Sequence, residues 1–290
     1  MKKGEEVFFI ELRDTQGNTF ALSYDKTEKK KKIFFNGKLT TKQKLLTLSP
    51  AYVVFHPFLL NLMYLTPGLR RDYLDDIIIK IFPKYDVLQK QYKLILRNRN
   101  KLLVAISEGK GQREEIYFWN TQFIDMASKI YEYRYHLVNF LRDHIGEFTS
   151  FFQGKIQQIQ FVYKTKVDEG KSGESIRDYL EKNLERDIIL GVTHIGPHVD
   201  DFDILLDGVS LTSFASRGET KSLILGLKIL ETRYIEQHTS KKPVLFIDDF
   251  LSEIDDTHKK FVLDTFASYQ TIITSISSIS SDKDSNCVFL

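Results

Sequence analysis

Val244-Leu245-Phe246-Ile247-Asp248-Asp249 is a run of four apolar residues that ends in two carboxylates. A run this short and this apolar, entered through Lys242-Pro243, predicts a buried strand of a parallel sheet. Charges that end such a strand lie at its C-terminal edge, where open α/β sheets bind ligands. There Asp248 is suited to hold Mg²⁺, and Asp249 to orient or deprotonate an attacking water. The same residues also read as a strand that stops in an exposed acidic turn.

Upstream, Ser216-Arg217-Gly218-Glu219 stands immediately before a segment in which Leu223, Leu227, Leu230 and Tyr234 keep helical spacing. The pattern predicts a helix from Arg217 to about His238. A serine and a glycine at a helix start offer a hydroxyl, free backbone N–H groups and the positive end of the helix dipole, all of which suit a phosphate. They equally make an ordinary cap. Downstream, Leu251-Ser252-Glu253-Ile254-Asp255 precedes an expected helix Lys259–Phe266 and strand Thr271–Ile276. Further back lie an expected strand Ile156–Lys164, a helix around Ile176–Leu184 and a strand Phe202–Leu206. Strands joined by helices predict an α/β section with a parallel sheet covered on both faces. The Ser-rich stretch Ser277–Leu290 reads as a frayed tail.

The first fifty residues have another rhythm. Val7–Leu12, Thr19–Tyr24 and Lys32–Phe35 are short strand-like runs with Gly17-Asn18 and Asn36-Gly37 between or after them, which predicts a small antiparallel sheet. A buried strand Ala51–Phe55 stops at His56-Pro57, and Leu59–Phe82 reads as mainly helical. Tyr85, Leu88, Tyr92, Ile95, Leu102 and Ile106 then follow a 3-4 spacing in which Arg99 is the one non-apolar member. Ile116, Trp119, Phe123, Met126, Ile130, Tyr133, Leu137 and Phe140 repeat it. With Gly109-Lys110-Gly111 between them, two long helices folded back as a hairpin are expected, the tip near Ser107–Arg113.

Bulk properties narrow the class. A chain of 290 residues with 42% hydrophobic content has enough apolar material for one large core or two moderate ones. No apolar run reaches the roughly 18 residues of a membrane span, and no apolar signal core follows Met1, so a cytoplasmic protein without a membrane partner is expected. The single cysteine, Cys287, excludes an internal disulfide and a zinc site built from cysteine pairs. A formal net charge of +2 leaves any nucleic-acid affinity to local clusters.

In combination, the serine-glycine cap, the amphipathic helix, the acid-ended strand and Ser252-Glu253-Ile254-Asp255 resemble the signature and Walker B half of an ABC-type ATPase head. The stretch Thr212–Asp255 most resembles the RecF family. Gly196-Pro197-His198-Val199-Asp200-Asp201 resembles a hallmark of that family in which arginine usually takes the fourth place. Gly68-Leu69-Arg70-Arg71-Asp72-Tyr73-Leu74-Asp75, Asn98-Arg99-Asn100 and Trp119 fall in the family's order. Val199 and Glu219-Thr220-Lys221 depart from the family's pattern, and the departure is expected to weaken contacts made through the signature segment.

The resemblance implies a partial ABC-type head: an N-terminal antiparallel part (1–57), an inserted helical arm lobe (58–150), a C-terminal part with signature and Walker B (151–280) and a tail (281–290). It implies ATP and Mg²⁺ as cofactors, with Asp248 on the metal, Asp249 catalytic, and Ser216, Gly218 and Asp255 at the nucleotide. Ser216 and Gly218 would act across an ATP-dependent homodimer. It also implies DNA replication and repair, recombination and SOS roles, with other recombination-mediator proteins as partners. DNA contact directed at the backbone is expected from Lys30, Lys31 and Lys32 and from Arg97 and Arg99 on the arm, although lysine-rich hairpins are also ordinary surface.

Such heads grip phosphates with G-x-x-x-x-G-K-[ST], and the only Gly-Lys-Ser here, Gly170-Lys171-Ser172, follows Asp168 and Glu169 and reads as a charged turn. An N-terminal segment of the family pattern is therefore expected to be missing. The alternative is a catalytically silent DNA-binding or scaffold protein on the same fold.

Overall fold

In the structure, a computed structural model, residues 6–152 and 154–274 are described; the Ser-rich tail and Cys287 lie outside them. The chain opens with β1 (Val7–Arg13), β2 (Thr19–Asp25), β3 (Lys30–Phe35) and β4 (Lys38–Thr40), paired in that order as an antiparallel sheet. Asn36 and Gly37 take φ values of 48° and 73°, the left-handed pair that a tight hairpin between β3 and β4 demands. A short helix α1 (Lys42–Leu48) leads to β5 (Tyr52–Phe55).

The segment expected as one helix over Leu59–Phe82 is two pieces, a 3-10 stretch at Pro57–Tyr64 and α2 (Pro67–Ile81), divided at Pro67. The arm hairpin is α3 (Lys84–Ser107) and α4 (Glu115–His144). Phe123, Ile130 and Leu137 of the α4 stripe are fully buried, as the spacing requires. A 3-10 stretch, Ile145–Phe152, and β6 (Ile159–Lys164) follow, then α5 (Ser172–Lys182), α6 (Leu184–Leu190), β7 (Asp201–Leu206), β8 (Val209–Ser210), α7 (Leu211–Phe214), α8 (Arg217–Thr239), β9 (Val244–Asp248), α9 (Asp256–Phe266) and β10 (Thr271–Thr274).

The strands do not join as one parallel sheet. β10, β9 and β5 form a three-stranded parallel sheet, so β5 pairs with β9 rather than with the antiparallel strands that precede it. β6, β7 and β8 form a separate antiparallel sheet. The reason lies in where the intervening helices pack. A parallel crossover needs its helix laid on the sheet, whereas α5 packs on α4 and α6 on α3. The chain therefore returns from the arm in the opposite direction, and Asp207 and Gly208 (φ 47° and 84°) turn it again into β8.

Buried charge ties these pieces together. Arg134 of α4 donates to both carboxylate oxygens of Asp75 on α2 at 2.9 Å, to the Pro197 carbonyl at 2.6 Å and to the Tyr163 hydroxyl at 3.1 Å. Tyr163 in turn donates to Asp200 at 2.8 Å. Arg70 makes a two-pronged contact with Asp201 at 2.7 and 2.6 Å, and Arg71 donates to the Asp200 carbonyl at 2.7 Å. The two sequence hallmarks, residues 68–75 and 196–201, are therefore the two halves of one ionic framework. Gly196 (φ +118°) is required at its place, because a Cβ there would stand 2.8 Å from the Tyr92 hydroxyl and 2.9 Å from the Phe123 ring.

A second buried cluster links α2 to α8. Glu231 accepts from Lys80 at 2.9 Å and from Lys228 at 2.6 Å, and Lys80 also meets Asp76 at 2.7 Å. Burial pushes the Lys228 ammonium down to about 8; the Glu231 carboxylate opposes the shift and Lys80 adds to it. From pH 8 to the ordinary lysine value of about 10.4, the unfolded chain thus holds a proton that folded Lys228 has lost. Stability contributed by this group therefore rises with pH across that window. Lys80 is displaced upward and changes the balance only above the window. The urea midpoint of Lys228→Met is expected to rise less between pH 8 and about 10 than that of the parent chain; equal slopes would show that Lys228 keeps its proton throughout.

Candidate functional site at the carboxyl edge of the parallel sheet

Alternation along the parallel sheet decides what its edge presents. Val53, Phe55, Leu245 and Ile247 are buried, with Phe55 packed edge-on against Phe250 and Phe266. On the other face Tyr52, Val54 and Phe246 are half-buried and Ile272 is 48% exposed. The expected cover on both faces is thus only partial among the described residues, because α9 and the turn after β9 supply apolar rings to one face alone.

The register sets Phe55 beside Ile247 and Thr274 beside Asp248, so the three strands end level. Asp248 is exposed, and one of its oxygens accepts from the Thr274 hydroxyl at 2.6 Å. Asp249 takes a left-handed conformation (φ 46°) that costs a residue with a side chain roughly 1–2 kcal/mol. Its backbone N–H donates to the Thr274 carbonyl and hydroxyl, both at 3.1 Å, and its carbonyl accepts from the Ser252 hydroxyl at 2.6 Å. These bonds turn the carboxylate inward, where Oδ1 is buried without a hydrogen-bond partner among the described residues. A buried, unpartnered carboxylate oxygen calls for a donor or a cation.

Next along the same edge stands His56, one residue past the Phe55–Ile247 pair. Burial lowers its imidazole below the usual histidine range; Lys228 acts in the same direction and Asp248 against it. The sequence marked His56-Pro57 only as the end of a strand. Its place beside Asp248 comes from the pairing of β5 with β9, which no local pattern signals.

The signature residues lie at the start of α8. The Ser216 hydroxyl accepts from the Glu219 N–H at 3.2 Å and donates to the Glu219 carboxylate at 2.8 Å, while the Ser216 N–H donates to that carboxylate at 2.9 Å. This is a closed capping box. It holds the Glu219 carboxyl below its ordinary value, chiefly through the Ser216 backbone bond. The negative charge that the helix start attracts is therefore already supplied by the chain itself. Asp255 has a comparable role at α9, accepting from the backbone and ring N–H groups of His258 at 3.0 and 2.6 Å.

Gly218 and Asp255 line a cavity of about 840 Å³ together with His258, Lys221, Tyr64 and Asn61. Lys221 closes one side by donating to the carbonyl and carboxylate of Glu253, at 2.9 and 2.7 Å. Asp248 and Asp249 do not line this cavity, so one chain does not bring the signature glycine and the paired carboxylates into one pocket. Among the described residues no three His, Cys, Asp or Glu side chains converge as a metal cage. A cation at Asp248 and Asp249 would thus share its coordination with substrate oxygens and water, the usual manner of Mg²⁺.

The remaining expected site residues divide. Lys30, Lys31 and Lys32 are exposed on β3, with Lys30 paired to Glu28 at 3.1 Å. Arg97 is exposed on α3. Arg99, expected as a DNA contact, is fully buried and donates to Asn120, Asp187 and Thr193 at 2.8, 3.1 and 2.5 Å. A guanidinium consumed inside the arm cannot meet a phosphate; its position in the apolar spacing of α3 was the signal that it points inward. Gly170 and Lys171 are exposed, Ser172 is the half-buried first residue of α5, and the preceding Glu169 pairs with Arg142. No helix among the described residues is long and apolar enough to cross a membrane.

No protein-family profile matches the chain. It is 31% identical over 281 residues to the DNA replication and repair protein RecF of Thermoanaerobacter sp., covering 94% of this chain and 77% of the relative. It is 33% identical over 228 residues to the protein of the same name from Ruminiclostridium cellulolyticum, covering 77% and 61%. Among solved structures it is similar to the recombination mediator protein RecF-ATP in the RecFOR pathway, with a TM-score of 0.81 at 26% identity, covering 98% of this chain and 77% of that one.

Substituting Glu219 by Gln keeps an acceptor in the capping box and removes its charge. Inorganic phosphate is expected to raise the urea midpoint of Glu219→Gln more than that of the parent chain. An equal response in both would show that the Glu219 carboxylate is not what closes this helix start to anions.

Proposed function

The chain belongs to the RecF family of DNA replication and repair proteins, and from that premise we propose that it acts in replication-coupled repair through an ATP-binding, ABC-type head that pairs with a second copy on DNA. The observation that carries this reading is the carboxyl edge of β9, where Asp248 is open to solvent and Asp249 holds a buried oxygen without a partner. These residues fit Mg²⁺-ATP: bound there, the ion would neutralise charge developing on the phosphate oxygens. Asp248 would hold the cation, and Asp249, fixed by the bonds of its backbone N–H to Thr274, would orient the attacking water. Ser216 and Gly218 face the nucleotide of the partner subunit, and Asp255 stands in the loop that follows the acidic strand. The likeness to a RecF-ATP structure supports ATP binding.

DNA is held through its backbone by Lys30, Lys31 and Lys32, which are exposed at the start of β3. Recombination-mediator proteins are the further partners, and gap-directed loading with support of the SOS response is the cellular role. A second reading, a silent DNA-binding scaffold, is favoured by one observation: Glu219 already occupies the helix start that a phosphate would use.

Two measurements test the proposal. In calorimetric titration with Mg-ATP, Asp248→Ala is expected to weaken binding by about tenfold, as removal of one charge-assisted bond does. Equal affinities for variant and parent would leave only the scaffold reading. For duplex DNA, replacing Lys30, Lys31 and Lys32 by Glu is expected to weaken binding regardless of sequence and to flatten the slope of log affinity against log salt by about 0.9 for each phosphate no longer neutralised. An unchanged slope would move the DNA surface away from this hairpin.

A further inference from the structure

The arm lobe carries a groove that neither the ATP site nor the basic hairpin uses. Between Asp86 and Glu108, α3 contains no acidic residue. Two of its cations there are already engaged, Lys90 by Asp86 and Arg99 by Asp187. Lys93, Arg97 and Lys101 are exposed, spaced four residues apart on one side of the helix, and make no ion pair among the described residues. They rim a groove of about 520 Å³ whose floor is Leu96, Val104 and Gly191.

The turn that follows α6 meets the groove at Gly191. Ile188 of α6 is buried against Leu102, Leu103 and Ile116, which anchors the helix to the arm. The two residues after it turn outward. Ile189 is 77% exposed, more than any other large apolar side chain among the described residues, and Leu190 is 51% exposed. Gly191 then takes φ +67°, and a Cβ at that position would lie 2.7 Å from the Val104 side chain, so the chain reverses tightly against α3. Val192 leaves the turn 43% exposed, and Thr193 fixes it by donating to Asn100 at 3.1 and 2.6 Å. Ile189, Leu190 and Val192, exposed around this turn, and Val104 on α3 thus leave aliphatic surface next to three free cations.

We infer that this groove docks a short acidic segment of a partner protein, one that carries large aliphatic side chains between its carboxylates. Charge complementarity selects the acid: three cations at one-turn spacing match carboxylates presented along an extended or helical segment. The aliphatic surface selects a peptide over a nucleic acid. A phosphate backbone leaves Ile189, Leu190 and Val104 in water, whereas leucine-sized anchors packed over Leu96, Val104 and the adjoining turn remove them from it. Arg97, expected from sequence to contact DNA, here belongs to a mixed apolar and basic surface.

The proposal is tested on the full chain with short fluorescent peptides of three kinds: acidic with two leucines, acidic with alanines in their place, and neutral with the two leucines. Only the first kind is expected to bind, with affinity that falls as salt rises. Arg97→Glu and Ile189→Ser are each expected to weaken it about tenfold. Ile189 is exposed, so Ile189→Ser should leave the urea midpoint unchanged, and its binding to a duplex oligonucleotide should match the parent's. Binding of the alanine peptide as tightly as the leucine peptide, or loss with Arg97→Glu but none with Ile189→Ser, overturns the inference and makes the stripe a purely electrostatic surface of the kind DNA uses. Failure of every acidic leucine peptide to bind also overturns it.

Discussion

A guanidinium shut away from water has to be neutralised inside the protein, and the neutralisation of Arg134 organises the molecule. The groups that meet it come from α2, from β6 and from the loop at Pro197–Asp200, three segments far apart in sequence. Breaking such a buried pair typically costs about 3–5 kcal/mol, because one charge is left stranded. Burial raises the Asp200 carboxyl, and Arg134 and the Tyr163 hydroxyl act against that rise. The same loop is held by Arg70 and Arg71 to the start of α2. Through those contacts the arm and the head share one framework, and the 3-10 stretch that walls the cavity beside Gly218 is fixed by it, with Arg70 also bound to the Met63 and Leu65 carbonyls.

The helix that begins at the signature is the second dependent part. α8 is buried on nearly every side over its middle turns, so Lys228 and Glu231 have no route to solvent. Burial works to raise the Glu231 carboxyl, and Lys228 and Lys80 more than reverse it. With Lys80 on α2 as one partner, the signature helix and the base of the arm are joined by charge as well as by packing. The same α2 carries the Asp75 end of the Arg134 framework.

Against this rigid background the two halves of the candidate site differ in readiness. The carboxyl edge of β9 has an open carboxylate and an unpartnered buried one, an arrangement that a cation completes. At the start of α8 the capping box engages the Ser216 and Glu219 N–H groups, and the Glu219 carboxylate supplies the negative charge that the dipole attracts. An anion arriving there has to displace a carboxylate that accepts two hydrogen bonds from Ser216. The Glu219 carboxylate thus has a physical consequence: it sets a barrier at one half of the site and leaves the other unaffected.

The acid-ended strand, the helix after Ser216, the antiparallel opening strands and the arm hairpin were legible in the sequence because each is a matter of local spacing. An apolar period of two or of three and four is set by backbone geometry, and a serine or glycine at a fixed offset marks where it starts or stops. The segments at residues 68–75 and 196–201 were marked only by their resemblance to the family, and their structural role as partners in one ionic framework was not legible. Tertiary structure alone decided that β6 and β7 run antiparallel, that β5 sets His56 beside Asp248, that Arg99 spends its charge on Asp187, and that Ile189 and Leu190 face water. Those outcomes depend on which distant groups come together, and for a buried charge or a strand edge the partner's identity outweighs any local preference.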